Sequence, residues 1–215
     1  MKKKYLIVDT ETANGLDCPL VYDFGFAVID ETGKVYSQSS FVVADIFFDH
    51  ELMSSAYYAE KVPHYIADIN EGKRKLITLK DLKASVARVM AYHGIDTVIA
   101  HNARFDYSSA TTTQRYMTSS KYRYFFPYGT HFVDTLKMAR QVLKGDTTYR
   151  AFCVDNGYVT ARNQSRFTAE ILYRFITNNA EFVEAHTALE DVLIEKEIFA
   201  YCRKRNPEID GLLWE

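Results

Sequence analysis

Only three cysteines occur in 215 residues: Cys18, Cys153 and Cys202. They are odd in number, far apart and without a Cys-x-x-Cys pair. That supports neither a disulfide framework nor a zinc site, and free thiols fit a reducing cytoplasm. Proline and glycine are scarce at 4 and 9, so collagen-like, Pro-rich and low-complexity architectures are out. Charge of either sign is not in excess: Lys+Arg number 26 and Asp+Glu 28, for a net charge of -2. That balance neither demands nor excludes a nucleic-acid partner, which would need local basic patches and bound cations beside any acidic site. Long apolar runs are missing too. Lys2-Lys3-Lys4 is followed by only Tyr5-Leu6-Ile7-Val8 before Asp9, too short for a signal-peptide core, and no later run approaches membrane-spanning length. The expectation is a soluble cytoplasmic protein with no membrane partner.

What is present is a core. Hydrophobic residues make up 47% of the chain, enough for one medium-sized domain over residues 1–215. Tyr5 to Val8 reads as an interior strand. Val21 to Ile29 is a second, with Tyr22, Phe24, Phe26 and Val28 on one period-two face. The Asp30–Lys34 turn returns the chain into Val35 to Val43, completing an antiparallel meander. Thr78 caps a helix through Leu79, Leu82, Val86, Val89 and Met90 that Gly94 ends. Thr97 to Ala100 and Phe132 to Thr135 are short strands, each followed by a helix, one from near Phe105 and one through Met138 and Val142. From about Phe167 to Lys204 the pattern is mostly helical, with a break at Asn178-Asn179. The expected fold is α/β: a mixed five-stranded sheet, first three strands antiparallel and the rest parallel, flanked by helices. Residues 45–77 read as helices in an excursion from the core.

Acidic residues stand where they cost free energy unless something neutralises them, and divalent ions are the simplest agent for several at once. Asp9 and Glu11 close the first strand and leave it on the same face, at the carboxyl end where α/β sheets collect ligands. Asp106 falls in the first turn of a helix, where the dipole favours an anion. His186 and Asp191 are five apart, about 140° on a continuous helix. They share a pocket only if His186 precedes the helix start. Each piece alone has an ordinary reading: a solvated strand end, a helix-start carboxylate, and a surface histidine within an acidic run (Glu184, Glu190, Asp191, Glu195, Glu197).

Together, Asp-x-Glu, then His101-Asn102-Ala103-Arg104-Phe105-Asp106, then His186-Thr187-Ala188-Leu189-Glu190-Asp191 resemble the three motifs of the DEDDh group of 3′–5′ exonucleases, which have the ribonuclease H-like fold. Asp134-Thr135-Leu136-Lys137-Met138-Ala139-Arg140 is similar to a stretch common between the second and third motifs. The resemblance spans Tyr5 to about Cys202. Thr187 stands where the sister group carries tyrosine, so the histidine version is indicated.

The resemblance implies two Mg²⁺ or Mn²⁺ ions about 3.5–4 Å apart held by Asp9, Glu11, Asp106 and Asp191, with His186 as general base. It implies hydrolysis of the terminal phosphodiester of a single-stranded 3′ end, releasing nucleoside 5′-monophosphates. Thr12, Ala13 and Asn14 would meet the last sugar and base. His101, Asn102 and Phe105 would line the other side, Phe105 stacking on a base or buttressing the core. The chain departs from the family pattern at Ala13, in residues 54–77, and in an additional helix near Phe167–Thr177. Lys73-Arg74-Lys75, Arg162 and Arg166 are phosphate-contact candidates, though each alone reads more simply as a solvated loop or helix end. DNA is the first substrate reading and short RNA the second, with a polymerase in trans as a possible partner. The rivals from other classes are a non-catalytic nucleic-acid or polymerase-binding module and a structural Mg²⁺/Ca²⁺ domain.

Overall fold

The structure, a computed structural model, describes residues 2–214. Three strands form the meander: β1 (Lys4–Ala13), β2 (Leu20–Asp30) and β3 (Val35–Val43). β1 and β3 each pair antiparallel with β2. Short helices α1 (Ala44–Phe47) and α2 (His50–Ser54), a 3-10 turn (Ala59–Lys61) and α3 (Val62–Asn70) follow. They lead to β4 (Lys75–Ile77), which pairs parallel with β3. β4 makes the sheet six-stranded, one strand more than expected. At three residues it is too short to show a period.

Helix α4 (Leu79–His93) begins at Thr78, whose hydroxyl accepts from the Asp81 N–H, and ends at Gly94 with φ +64. β5 (Thr97–Ala100), α5 (Arg104–Met117), β6 (His131–Asp134) and α6 (Thr135–Leu143) complete the parallel half. The strand order is β4-β3-β2-β1-β5-β6. Helix α7 (Thr147–Asp155) has no counterpart in the sequence reading. The late helical region divides into α8 (Ala169–Thr177) and α9 (Ala188–Arg205). The break at Asn178 extends to Thr187, longer than expected.

β2 is buried along its whole length. Tyr22, Phe24, Phe26 and Val28 pack on the sheet face that α4 and α5 cover, while Ala27 and Ile29 pack on the face of α6, α8 and α9. The second face is thin for a reason. A Cβ on Gly25 would stand 2.4 Å from the backbone carbon of Ala188, so only glycine lets the start of α9 lie against the sheet. Gly25 pairs with Asp9, and its neighbour Asp23 pairs with Glu11.

Asp23 is fully buried. Its Oδ2 accepts from the Ala188 N–H at 3.0 Å, the Tyr65 hydroxyl at 2.7 Å and Arg74 Nη1 at 3.2 Å. A carboxylate on β2 thus caps α9 from across the fold, at the helix's positive end. Arg74 is 3% exposed and also donates to Asp68, Ser40 and Glu190. It is therefore the centre of an internal ion cluster, and the phosphate-contact role considered for it is removed. Lys73 pairs with Glu71 at 2.6 Å. Replacing Arg74 by methionine strands Asp23 and Asp68, and should cost about 3–5 kcal/mol in urea unfolding. A cost below about 1 kcal/mol, the range of exposed pairs, would contradict this account.

Candidate active site

Asp9 and Glu11 leave β1 toward the start of α9. Ligand oxygens of Asp9, Glu11 and Asp191 all lie within 4.8 Å of one another. Asp191 sits in the first turn of α9. Its Oδ1 is buried and has no hydrogen-bond partner in the protein. One turn on, Glu195 is 3% exposed and its Oε2 accepts from the His101 N–H at 3.2 Å. Glu195 adds a further carboxylate to the group. The sequence reading left it among solvated acids, although a spacing of four from Asp191 places both on one helix face.

Asp106 reaches the same groove from the first turn of α5. It stands outside the 4.8 Å triad, and its Oδ1 accepts from the Thr10 hydroxyl at 2.8 Å. The turn that delivers it is held by Asp134 and Thr135. Asp134 Oδ1 accepts from the Asn102 and Leu136 N–H groups, each at 2.9 Å. Thr135 Oγ1 meets His101 Nδ1 at 2.9 Å, and His101 Nε2 meets the Phe167 carbonyl at 2.9 Å. The Asp-Thr-Leu stretch thus braces the second acidic motif. Both ring nitrogens of His101 are used inside the protein.

His186 precedes the N-cap Thr187 and has φ +49, so the helical 140° separation does not apply. Its ring lies over the groove, with a ligand nitrogen within 4.8 Å of oxygens from Glu184 and Asp191. Two residues from the excursion hold it. Tyr58 stacks on the imidazole at 4.7 Å and 15°. Lys61 Nζ donates to the carbonyls of Ala185 and His186 and sits over the Tyr58 ring at 4.2 Å. Neither residue had a sequence signal, because both lie in short helical pieces without a sustained period.

His101, Asn102 and Phe105 line the groove with the acids. Thr12, Ala13 and Asn14 do not. A register shift between Glu11 and Thr12 re-aims the chain there, Ala13 is buried, and Asn14 N–H donates to Ser55.

The fold has counterparts among solved structures. Exonuclease X in complex with 5′-overhanging duplex DNA aligns with a TM-score of 0.54 at 19% identity, over 96% of this chain and 95% of that one. The zinc-bound complex of E. coli exonuclease I with single-stranded DNA aligns with a TM-score of 0.62 at 16% identity, over 97% of this chain and 42% of that one. The chain has the ribonuclease H-like exonuclease fold. A 3′-exonuclease described by its 3′-end-specific recognition of histone mRNA stem-loop aligns with a TM-score of 0.60 at 9% identity, over 96% of this chain and 65% of that one. The chain spans less than half of the length of exonuclease I. No family model matches the sequence, and no curated protein matches it. Among the described residues no helix is long and apolar enough to cross a membrane.

On this exonuclease fold the acids suppress one another's ionisation. Burial, then the charge of Glu195, raises Asp9 well above the usual carboxylate range. Burial is also the first cause for Glu11, Asp191 and Asp106, pushed up to about 9, about 8 and about 7. Glu184 rises to about 7 by burial and then the Glu170 charge. His186 moves the other way, lowered by desolvation and then by Lys61. An all-oxygen acid cluster with an orphaned buried oxygen fits hard divalent cations.

The proton linkage has a definite sign. Carboxyls held above their unfolded values, about 3.9–4.3, stabilise the fold fully at low pH and lose that contribution as pH rises through their folded values. In EDTA the melting temperature should therefore fall between about pH 6 and about pH 9. Excess Mn²⁺ should flatten that fall, because metal replaces the protons. Calorimetry across this range checks it, and a flat profile in EDTA would remove the buried-acid explanation.

Proposed function

We propose that this chain is a metal-dependent 3′–5′ exonuclease. In this reading one domain, residues 1–215, hydrolyses the terminal phosphodiester of single-stranded nucleic acid and releases nucleoside 5′-monophosphates. DNA is the preferred substrate. The observation that carries the proposal is the convergence of Asp9, Glu11 and Asp191 oxygens within 4.8 Å, with His186 beside Asp191. Asp106 lines the same groove. A structural cation site gives no reason for a half-exposed imidazole at its edge, whereas hydrolysis does.

Asp9, Glu11, Asp106 and Asp191 would hold two Mg²⁺ or Mn²⁺ ions. When bound, such ions neutralise phosphate charge and make water easier to deprotonate. His186 takes the proton from the attacking water. Its lowered pKa keeps the ring neutral at pH 7, and Tyr58 and Lys61 fix its direction. The water oxygen bonds to phosphorus as the bond to the 3′-oxygen breaks, the departing 3′-oxygen takes a proton from solvent to become a hydroxyl, and the imidazolium returns its own proton to solvent at the open mouth. Phe105, half-buried in the groove wall, offers a face to the terminal base without selecting its identity. Thr12, Ala13 and Asn14 stand outside that wall, so contacts to the last nucleotide rest on Asn102 and Phe105. A partner polymerase in trans belongs to this proposal as well.

The test is a digestion series: labelled single-stranded DNA, duplex DNA and RNA, each with Mg²⁺, Mn²⁺ or EDTA. Mononucleotide release from single-stranded DNA, abolished by EDTA, is expected. Faster release from RNA would favour the RNA reading, for which the histone mRNA 3′-exonuclease is the structural precedent. No hydrolysis under any metal would favour the binding module.

A further inference from the structure

The groove that holds the acids does not stop at them. It encloses about 1310 Å³ and continues past His101 along α6, α7 and the chain from Thr160 to Thr168. Its charges are sorted. The acids lining it, Asp9, Glu11, Asp106, Glu184, Asp191 and Glu195, all belong to the cluster described above. The basic residues lining it are Arg140, Lys144, Arg150 and Arg166, all in the other arm. Every ion pair among the described residues uses other cations, so these four are uncompensated by any carboxylate. An unneutralised row of cations facing a polar groove is an electrostatic footprint for a polyanion.

We infer that this second arm is a track for the phosphate backbone of the substrate strand, carrying the nucleotides behind the one being removed. The inference rests on the nuclease reading and extends it to a second region of the groove.

Local geometry builds the track. Arg140 and Lys144 are one turn apart at the end of α6, hence on one face. Helical rise places Lys144 about 13 Å beyond Thr135, the residue that braces the acid-bearing turn. Arg150, on α7, is fixed by a hydrogen bond to Asn163 Oδ1 at 2.8 Å, and its Nη1 has no partner in the protein. Asn163 tops a tight turn closed by the Val159–Ser165 bridge and by Thr160 N–H donating to Gln164 O at 2.8 Å. Arg166 follows that turn, its N–H donating to Tyr158 O at 3.0 Å and its carbonyl accepting from the Tyr149 hydroxyl. The next carbonyl, of Phe167, is the one held by His101. The basic arm and the acidic arm are therefore joined through one half-buried histidine, and a strand lying along the first is aimed at the second.

The occupant that fits is a nucleic-acid strand rather than an acidic protein. The arm is continuous with the acids that would grip a terminal phosphodiester. Beside Leu136, Phe167 and Ala169, its other lining groups are hydroxyls and amides (Thr160, Asn163, Gln164, Ser165, Thr168), which can donate to phosphate oxygens between the cations. Contacts of this kind position a strand without reading its sequence.

The double variant Arg140→Gln/Lys144→Gln tests the track. Both residues are exposed, so folding is not at stake. The control, Lys73→Gln/Lys75→Gln, changes net charge equally, from -2 to -4 after two positive charges are lost, outside the groove. Binding of a long fluorescent oligothymidylate is titrated in EDTA across a salt series. Each lost phosphate contact removes about 0.7 from the slope of log affinity against log salt, so the groove variant should lose about 1.4 and the control close to nothing. With Mn²⁺, the ratio of kcat/KM on the long oligonucleotide to that on a dinucleotide should fall roughly tenfold in the groove variant.

An unchanged slope and ratio, or equal changes in the control, would overturn the track. So would polyglutamate competing as well as oligothymidylate, which would point to an acidic protein. If the wild type hydrolyses neither substrate, the nuclease reading fails on its own, and the salt slope still decides whether the groove binds a strand.

Discussion

Asp9→Asn should leave a protein that folds, melts higher in EDTA than the wild type, and hydrolyses no phosphodiester. All three outcomes follow from one fact. The Asp9 carboxyl is half-buried and surrounded by Glu195, Asp106, Asp191 and Glu11, so without metal its charge opposes folding, and in the proposed function the same charge would hold a metal. The amide keeps the shape and removes the ionisable group. Relieving even about 1 kcal/mol would raise the melting midpoint by about 2–4 °C in a protein of this size. The stabilisation by Mn²⁺ should shrink in the same variant, because one oxygen ligand loses its charge. Calorimetry with and without Mn²⁺, paired with an oligonucleotide digestion, reads all three. Full hydrolysis by Asp9→Asn would exclude Asp9 as a ligand. A lower melting temperature in EDTA would contradict the strained-acid account.

The second large effect is at His186. His186→Ala should lower turnover by roughly 10²–10⁴-fold while metal-induced stabilisation is largely kept, since the oxygen ligands remain. The pH–rate profile gives an independent mark. A general base works only when neutral, so activity falls on the acid side as pH drops through its pKa. Desolvation and the Lys61 charge hold that pKa below the ordinary 6.5, which puts the acid limb below that value in the wild type. The variant should lose this limb. An unchanged rate and an unchanged limb would take His186 out of the mechanism. The imidazole is fixed by the Tyr58 ring and by Lys61 at the loop carbonyls, so the part of the chain least legible in sequence supports the residue proposed for this role.

That contrast runs through the molecule. The three-strand meander, the Thr78 cap and the Gly94 stop are local matters of period and turn chemistry, and the sequence carries them within a few residues. The acids on β1, at the head of α5 and at the head of α9 were legible because each closes or opens an element, and because their order forms a pattern. The edge strand β4 and helix α7 were not legible, the first too short for a period and the second outside any segment with a strong one.

By itself the sequence determined most of the elements other than β4 and α7, which acids stand at their ends and which histidine lies near them, since these depend on neighbours a few positions away. Only the tertiary structure decided that Glu195 and Glu184 face the groove rather than solvent, that Arg74 is an internal counter-ion rather than a phosphate contact, and that Asp23 caps a helix 165 positions away. Burial and charge compensation are properties of where chains cross, and the crossing of α9 over Gly25 brings those groups together.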